Sequence, residues 1–332
     1  MMKLTRFFLG ISLSLAFCSP SIFGYQEPSQ HSASAMADSG KRDKISTLDD
    51  SPLLVLDVNL VNLSVTVTDR DGRALAGLRK EDFIIYEDKV RQEISYFSIE
   101  DAPISVGILL DDSGSIMKRK DSARRAALEF VKQSNSRDSV FLAIFNQDAY
   151  LAQDFTNDFD SLTRAINDTA PGGWTALYDA IVAGIKKVKT GPNAKKTLLV
   201  VTDGEDNRSY TGFNELMRVA QESGVIIYII GLSEESSSFR YSKTLEHDAQ
   251  KKMQKLAEAT GGRLLVPQSD GDMMSVATQI AQELRRQYSI GYTSTNQKKD
   301  GKWRKLKVDV KSSKDPKEAV VRTRAGYYAP KK

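Results

Sequence analysis

Between residues 104 and 286, short apolar runs alternate with amphipathic stretches, and this alternation narrows the available folds more than any other feature of the sequence. The runs fall at 104–110, 140–145, 197–202, 225–230 and 263–266. Apolar strands of this kind are buried on both faces, which is the situation of a parallel sheet covered by helices on either side. Between the first two runs, Ala123, Ala126, Ala127, Phe130 and Val131 recur at helical spacing and make one apolar stripe. Further helices are expected at 176–188, 213–222, 248–259 and 272–286. The predicted class is α/β, with a Rossmann-like, mostly parallel sheet and helices on both faces.

On either side of this unit the period changes to two. Val61, Leu63, Val65 and Val67 alternate with Asn62, Ser64, Thr66 and Thr68, the pattern of a half-buried strand, and Asp71-Gly72 ends it in a turn. Strand-like runs follow at 83–86 and 94–97. After residue 286 the alternation returns with Tyr288, Ile290 and Tyr292, then Leu306, Val308 and Val310, then 319–323. Each flank offers about three good strands, too few for independent stability, whereas together they supply enough for two packed sheets. We therefore expect segments 52–100 and 287–328 to form one β-sandwich into which the α/β unit, residues 101–286, is inserted. Two separate small β modules are the alternative.

The amino-terminal segment has a different character. Lys3 and Arg6 precede an apolar run at 7–17, and small residues continue to Gly24, the pattern of a secretory signal peptide over residues 1–24. The run is shorter than the roughly 20 residues that cross a bilayer, and no later stretch is long and apolar enough to be a transmembrane segment. The mature protein is expected to be secreted or periplasmic. Cys18, the single cysteine, offers lipid anchoring as an alternative, although the bulky Phe17 occupies a position where a small residue is expected. If the segment is removed, the remaining chain has no thiol for a disulfide, a nucleophile or a metal. Residues 25–51, rich in Ser, Asp, Lys and Gln, read as a disordered linker. The formal charge of +4 becomes +2 without Lys3 and Arg6, and nothing concentrates positive charge as a nucleic-acid binder does.

Three short elements carry the chemistry. Asp111-Asp112-Ser113-Gly114-Ser115 follows the first apolar run, Gly172-Gly173-Trp174-Thr175-Ala176 opens a helix, and Val201-Thr202-Asp203-Gly204 follows the third run. In open α/β sheets the binding crevice lies beyond the carboxyl ends of the strands where their order reverses, so Asp111 and Asp203 meet there if their strands are neighbours. Carboxylate and hydroxyl oxygens without a soft ligand suit a hard cation such as Mg²⁺ or Mn²⁺ and disfavour zinc.

In order and spacing these elements resemble the metal-ion-dependent adhesion site of the von Willebrand factor A family. The resemblance covers about residues 101–286. It implies that Ser113 and Ser115 bind the ion directly, that Thr175 does so directly or through water, and that Asp111 and Asp203 act mainly through water. An ion held this way lacks one strong anionic ligand, and a partner protein's Asp or Glu carboxylate would complete the shell. The wider layout, with Gly77-Leu78-Arg79-Lys80-Glu81-Asp82-Phe83 before the unit and Gly326-Tyr327-Tyr328 near the end, is similar to bacterial von Willebrand factor A-related proteins of the acidobacterial type.

Neighbouring acids have plainer readings. Asp112, Glu205 and Asp206 read as solvated loop acids that could also tune the ion's hydration, and Asp179 as either a surface residue or one that orients the threonine loop. Asp69-Arg70-Asp71-Gly72 is a hairpin turn, because the downstream ligands of a calcium loop are missing. The same residues do not fit the rival functions. A haloacid-dehalogenase-like phosphatase needs a second aspartate where Ser113 stands. A serine hydrolase needs a histidine base, and His31 and His247 lie in no fitting pattern. A structural envelope module with a decayed site would not be expected to retain all five ligand positions. The expected protein is a binding protein and not an enzyme.

Overall fold

The computed structural model describes residues 60–99, 101–169, 172–232, 240–269, 271–311 and 319–331, with the backbone alone at 240–246. The expected signal peptide and linker, with Cys18 and His31, lie outside the described residues. Strands β1 (Leu60–Thr68), β2 (Phe83–Glu87), β3 (Val90–Gln92) and β4 (Ile94–Ser98) precede the α/β unit. The unit comprises β5 (Ile104–Asp111), α1 (Lys120–Lys132), β6 (Ser139–Phe145), β7 (Ala149–Thr156), α2 (Phe159–Asn167), α3 (Leu177–Lys189) and β8 (Lys195–Thr202). It continues through α4 (Phe213–Ser223), β9 (Ile226–Gly231), α5 (Arg240–Thr260), β10 (Leu264–Leu265) and α6 (Asp272–Arg285). Strands β11 (Tyr288–Thr293), β12 (Trp303–Val310), β13 (Val320–Arg322) and β14 (Gly326–Tyr328) follow.

The central sheet has the order β10-β9-β8-β5-β6-β7 and is parallel throughout except for β7. Every residue of β5 is buried, as expected of a strand covered on both faces. Ile104, Val106, Ile108 and Leu110 face a core shared with α1 and α6, and Leu109 faces a second core shared with α3, α4 and α5. Gly107 lies where a Cβ would meet the Phe141 and Leu198 side chains of the neighbouring strands β6 and β8 within 2.6 Å, so these side chains can close over β5 there only because the residue is glycine. The chain runs from β5 to β6 on one side and later returns to β8 on the other, so the order reverses at β5.

Two elements of the α/β unit escaped sequence reasoning. The antiparallel edge strand β7 has no buried residue and so presents no apolar pattern, and the nine-residue helix α2 buries only Leu162 and Ile166. The helix expected at 248–259 begins earlier, at Arg240, and the run at 263–266 contributes only the two-residue strand β10.

The remaining strands form two four-stranded sheets, β13-β1-β11-β4 and β14-β12-β2-β3. Each mixes strands from both flanks: β1 pairs with β11 and β13, and β2 pairs with β12. Their apolar faces meet in one core that includes Leu63, Val65, Phe83, Ile85, Tyr288, Tyr292, Leu306 and Val308. Inside it, the buried Glu87 carboxylate accepts hydroxyl hydrogen bonds from Tyr292 at 2.6 Å, Ser294 at 2.6 Å and Tyr327 at 2.9 Å. Strand β1 departs from simple alternation, because Thr66 and Thr68 on its polar face are also buried. They meet Gln287 and Arg322, so this end of the strand is covered on both sides.

A fragment of residues 60–99 leaves β1 without the hydrogen-bonding neighbours it has in β11 and β13 and exposes half of a core. We expect it to show no cooperative thermal transition by circular dichroism; a sharp transition would show that the amino-terminal strands fold alone.

Candidate metal centre

Asp111 is the last residue of β5 and is 1% exposed. Its Oδ1 accepts the Ser113 N–H at 3.0 Å and its Oδ2 accepts the Thr202 hydroxyl at 2.6 Å. Thr202 ends β8, which pairs directly with β5, so this bond links the two strands at the point where the sheet order reverses. The Thr202 hydroxyl oxygen also accepts the Gly204 N–H at 3.0 Å. Gly204, at φ +84°, turns the chain just after Asp203, a backbone conformation that glycine tolerates without strain.

Ser113 and Ser115 place their hydroxyl oxygens 3.0 Å apart, the first fully buried and the second exposed. The threonine loop is tied to the Asp111 loop by two backbone bonds, Gly172 N–H to the Asp112 carbonyl at 2.8 Å and Gly114 N–H to the Gly173 carbonyl at 3.1 Å. Thr175, 1% exposed, donates its N–H to Asn207 Oδ1 at 2.9 Å, and its carbonyl accepts the N–H groups of Asn207 and Arg208, both at 3.0 Å. Asp203 is half-buried, and its Oδ1 accepts the Glu205 N–H at 3.0 Å. All five residues singled out from sequence therefore lie on three mutually fastened loops at the carboxyl end of one sheet.

Several supporting residues escaped sequence reasoning because their partners are far away in the chain. Asn207 and Thr202 hold Thr175 and Asp111, as described. Asp206 is not simply solvated: its Oδ1 accepts the Tyr178 N–H at the start of α3 at 3.2 Å and the Ser209 hydroxyl. Asp112, too, is buried. Asp179 orients the loop beyond Asp203 and not the threonine loop, accepting the Tyr210 N–H at 2.8 Å and the Thr211 N–H at 2.9 Å. Burial opposes ionisation of Asp179, but the bonds from Thr211 and Tyr210 outweigh it and hold the carboxyl below its usual range. The Asp69–Arg73 segment is the expected turn, with the Arg73 N–H donating to Asp69 Oδ1 at 2.8 Å.

The electrostatics of the crevice fit a cation. Burial, followed by the nearby negative charge of Asp203, pushes the Asp111 carboxyl up to about 7 against the pull of its hydrogen bonds from Ser113 and Thr202. Among the described residues no Lys, Arg or His forms an ion pair with Asp111. A buried carboxylate kept short of a counter-charge, beside a second acid and three hydroxyls, is a donor set for a hard divalent ion. Among the described residues no group of three or more His, Cys, Asp or Glu side chains gathers as a metal site, so an ion here depends on hydroxyl oxygens.

An open α/β sheet with this hydroxyl and carboxylate cluster at its switch point defines a class of domains whose crevice is made by loops and not by the sheet itself. Residues 105–296, more than half of the chain, match the von Willebrand factor type A domain, and the protein belongs to that family. Among curated proteins none matches the sequence. Solved structures with a related fold include a von Willebrand factor type A protein from Catenulispora acidiphila, with 12% identity, a TM-score of 0.47, and coverage of 82% of this chain and 75% of that one. The conserved hypothetical protein BatB from Bacteroides thetaiotaomicron shows 19% identity and a TM-score of 0.43, over 54% of this chain and 98% of its own. The vWF domain of the type V pili tip protein Mfa5 from Porphyromonas gingivalis shows 14% identity and a TM-score of 0.45, over 55% of this chain and 94% of its own.

Proposed function

We propose that this protein is an exported binding protein that holds one Mg²⁺ or Mn²⁺ ion and uses it to recognise an acidic side chain of a protein partner. The observation that carries the reading is the Asp111 carboxylate, buried without a cationic partner among the described residues, beside Asp203 and the hydroxyls of Ser113, Ser115 and Thr175. Bound there, the ion would supply an open coordination position that a partner carboxylate fills. The chain's own residues orient the oxygens: Thr202 holds Asp111, Asn207 holds the threonine loop, and Asp179 holds the loop beyond Asp203. Export rests on the amino-terminal sequence. In the described residues no helix is long and apolar enough to cross a membrane. Kinship with the acidobacterial-type proteins of the family rests on the sequence strings at Gly77–Phe83 and Gly326–Tyr328, and the proposed role is one of binding without turnover.

Calorimetric titration tests the site. The wild type should take up about one equivalent of Mg²⁺ or Mn²⁺, and Asp111→Ala should show none. Equal heats from both proteins, or metal-dependent hydrolysis of phosphate or acyl esters that is lost in Asp111→Ala, would overturn the reading.

A further inference from the structure

Three large apolar side chains stand in solvent on the same three loops that carry the candidate metal ligands. Met117, just beyond Ser115, is 54% exposed; Trp174, directly before Thr175, is 63% exposed; Tyr210, in the loop after Asp203, is 93% exposed. Trp174 and Tyr210 are the two most exposed large apolar side chains among the described residues. Their backbones are held firmly. The Gly114–Gly173 bond joins the loop of Met117 to that of Trp174, the Thr175 carbonyl receives Asn207 and Arg208, and Asp179 receives the N–H of Tyr210 itself. Single exposed apolar residues are ordinary on protein surfaces. Three of them, brought from separate loops to one end of a sheet on fixed backbones, instead resemble an apolar rim around a polar centre. Rigid Trp and Tyr side chains are the types that contribute most when a partner buries them.

We infer that the site takes a protein segment whose Asp or Glu is flanked within one or two positions by large apolar side chains, the carboxylate meeting the ion and the flanks resting on Trp174 and Tyr210. This rests on the proposed metal-dependent function and specifies its partner. The proposed ion favours an acidic centre, and the exposed aromatic area favours apolar neighbours, so neither feature alone defines the ligand.

Fluorescently labelled, end-capped peptides provide the test, read by anisotropy on the full protein in Mg²⁺ and in chelator. One peptide carries a central Asp between Phe and Leu, a second the same Asp between serines, and a third a central Asn between Phe and Leu. The first should bind on the order of tenfold more tightly than either of the others, and only with Mg²⁺. Trp174→Ser and Tyr210→Ser, both solvent-exposed changes that leave the core intact, should erase the advantage of apolar over serine flanks while calorimetric Mg²⁺ binding stays unchanged. If Mg²⁺ binds but the flanks make no difference, or the two variants keep the preference, this inference falls and the metal reading stands. If the wild type binds no Mg²⁺, both fall. Concentration-dependent self-association that disappears in Trp174→Ser without any peptide preference would assign the rim to a second copy of this chain and overturn the inference as well.

Discussion

Asp111→Asn is expected to raise the thermal midpoint of the metal-free protein while removing its response to Mg²⁺. The folded carboxyl sits at about 7, well above the ordinary value of 3.8, because burial and Asp203 both disfavour its charge. Between those two values the folded state holds a proton that the unfolded chain releases. Stability of the metal-free protein therefore falls as pH rises through that window and stays low above it. The amide carries no charge to desolvate and can keep a hydrogen bond to the Ser113 N–H, so above pH 7 the variant should gain on the order of 2–4 kcal/mol, or roughly 5–10 °C. Near pH 4 the two proteins should melt together. Mg²⁺ narrows the gap: at a hundred times its Kd it stabilises the wild type by about 2.7 kcal/mol, about the size of the variant's advantage, and leaves the variant unmoved. Scanning calorimetry of both proteins at pH 4 and 8, with chelator and with Mg²⁺, checks each of these outcomes. A variant less stable than the wild type at pH 8 in chelator would mean that the Thr202 and Ser113 hydrogen bonds outweigh the buried charge.

The second large effect is expected at Glu283, on α6 and 1% exposed. Its carboxylate lies between two guanidinium groups, Arg263 at the sheet edge and Arg322 on β13, the latter at 2.8 Å. It thereby fastens the last helix of the α/β unit to the sandwich. Burial pulls the Arg263 guanidinium below its usual range, Glu283 opposes this, and Arg322 adds like-charge repulsion. Glu283→Ala removes the carboxylate that pairs with both guanidinium groups in a largely buried cluster and leaves two cations facing each other. Removing one partner of such a group costs about 3–5 kcal/mol, or roughly 10 °C in midpoint. Glu283→Gln, which keeps the shape without the charge, should fall between. Metal affinity should not change in either variant, because α6 contributes no candidate ligand. A midpoint within about 2 °C of the wild type in Glu283→Ala would mean that solvent reaches the two arginines and screens them.

The central sheet was legible because each of its inner strands is buried on both faces and advertises this as an unbroken apolar run. β7 was not, since an edge strand with exposed Tyr150 and Leu151 has no such run. The candidate ligands were equally legible, for a reason of a different kind: Asp111 and Asp203 stand at strand ends, where the chain must leave the sheet toward one crevice. Their supports were hidden. Thr202 meets Asp111 across 91 positions and Asn207 meets Thr175 across 32, and no local pattern links such pairs. The role of Asp179 was open for the same reason, because which loop an acid on α3 can reach depends on where α3 lies.

Local sequence by itself determined the period of each element, the residues that line the core, and the oxygen donors offered at the strand ends, because side-chain polarity and backbone preference act within a few residues. Tertiary structure alone decided how the two β flanks interleave and which buried charges face one another. It also decided that Trp174, Tyr210 and Met117, apolar residues that composition would assign to a core, stand exposed around the crevice. These outcomes depend on distances between parts of the chain far apart in sequence, and those distances exist only once the sheet has set the order of its strands.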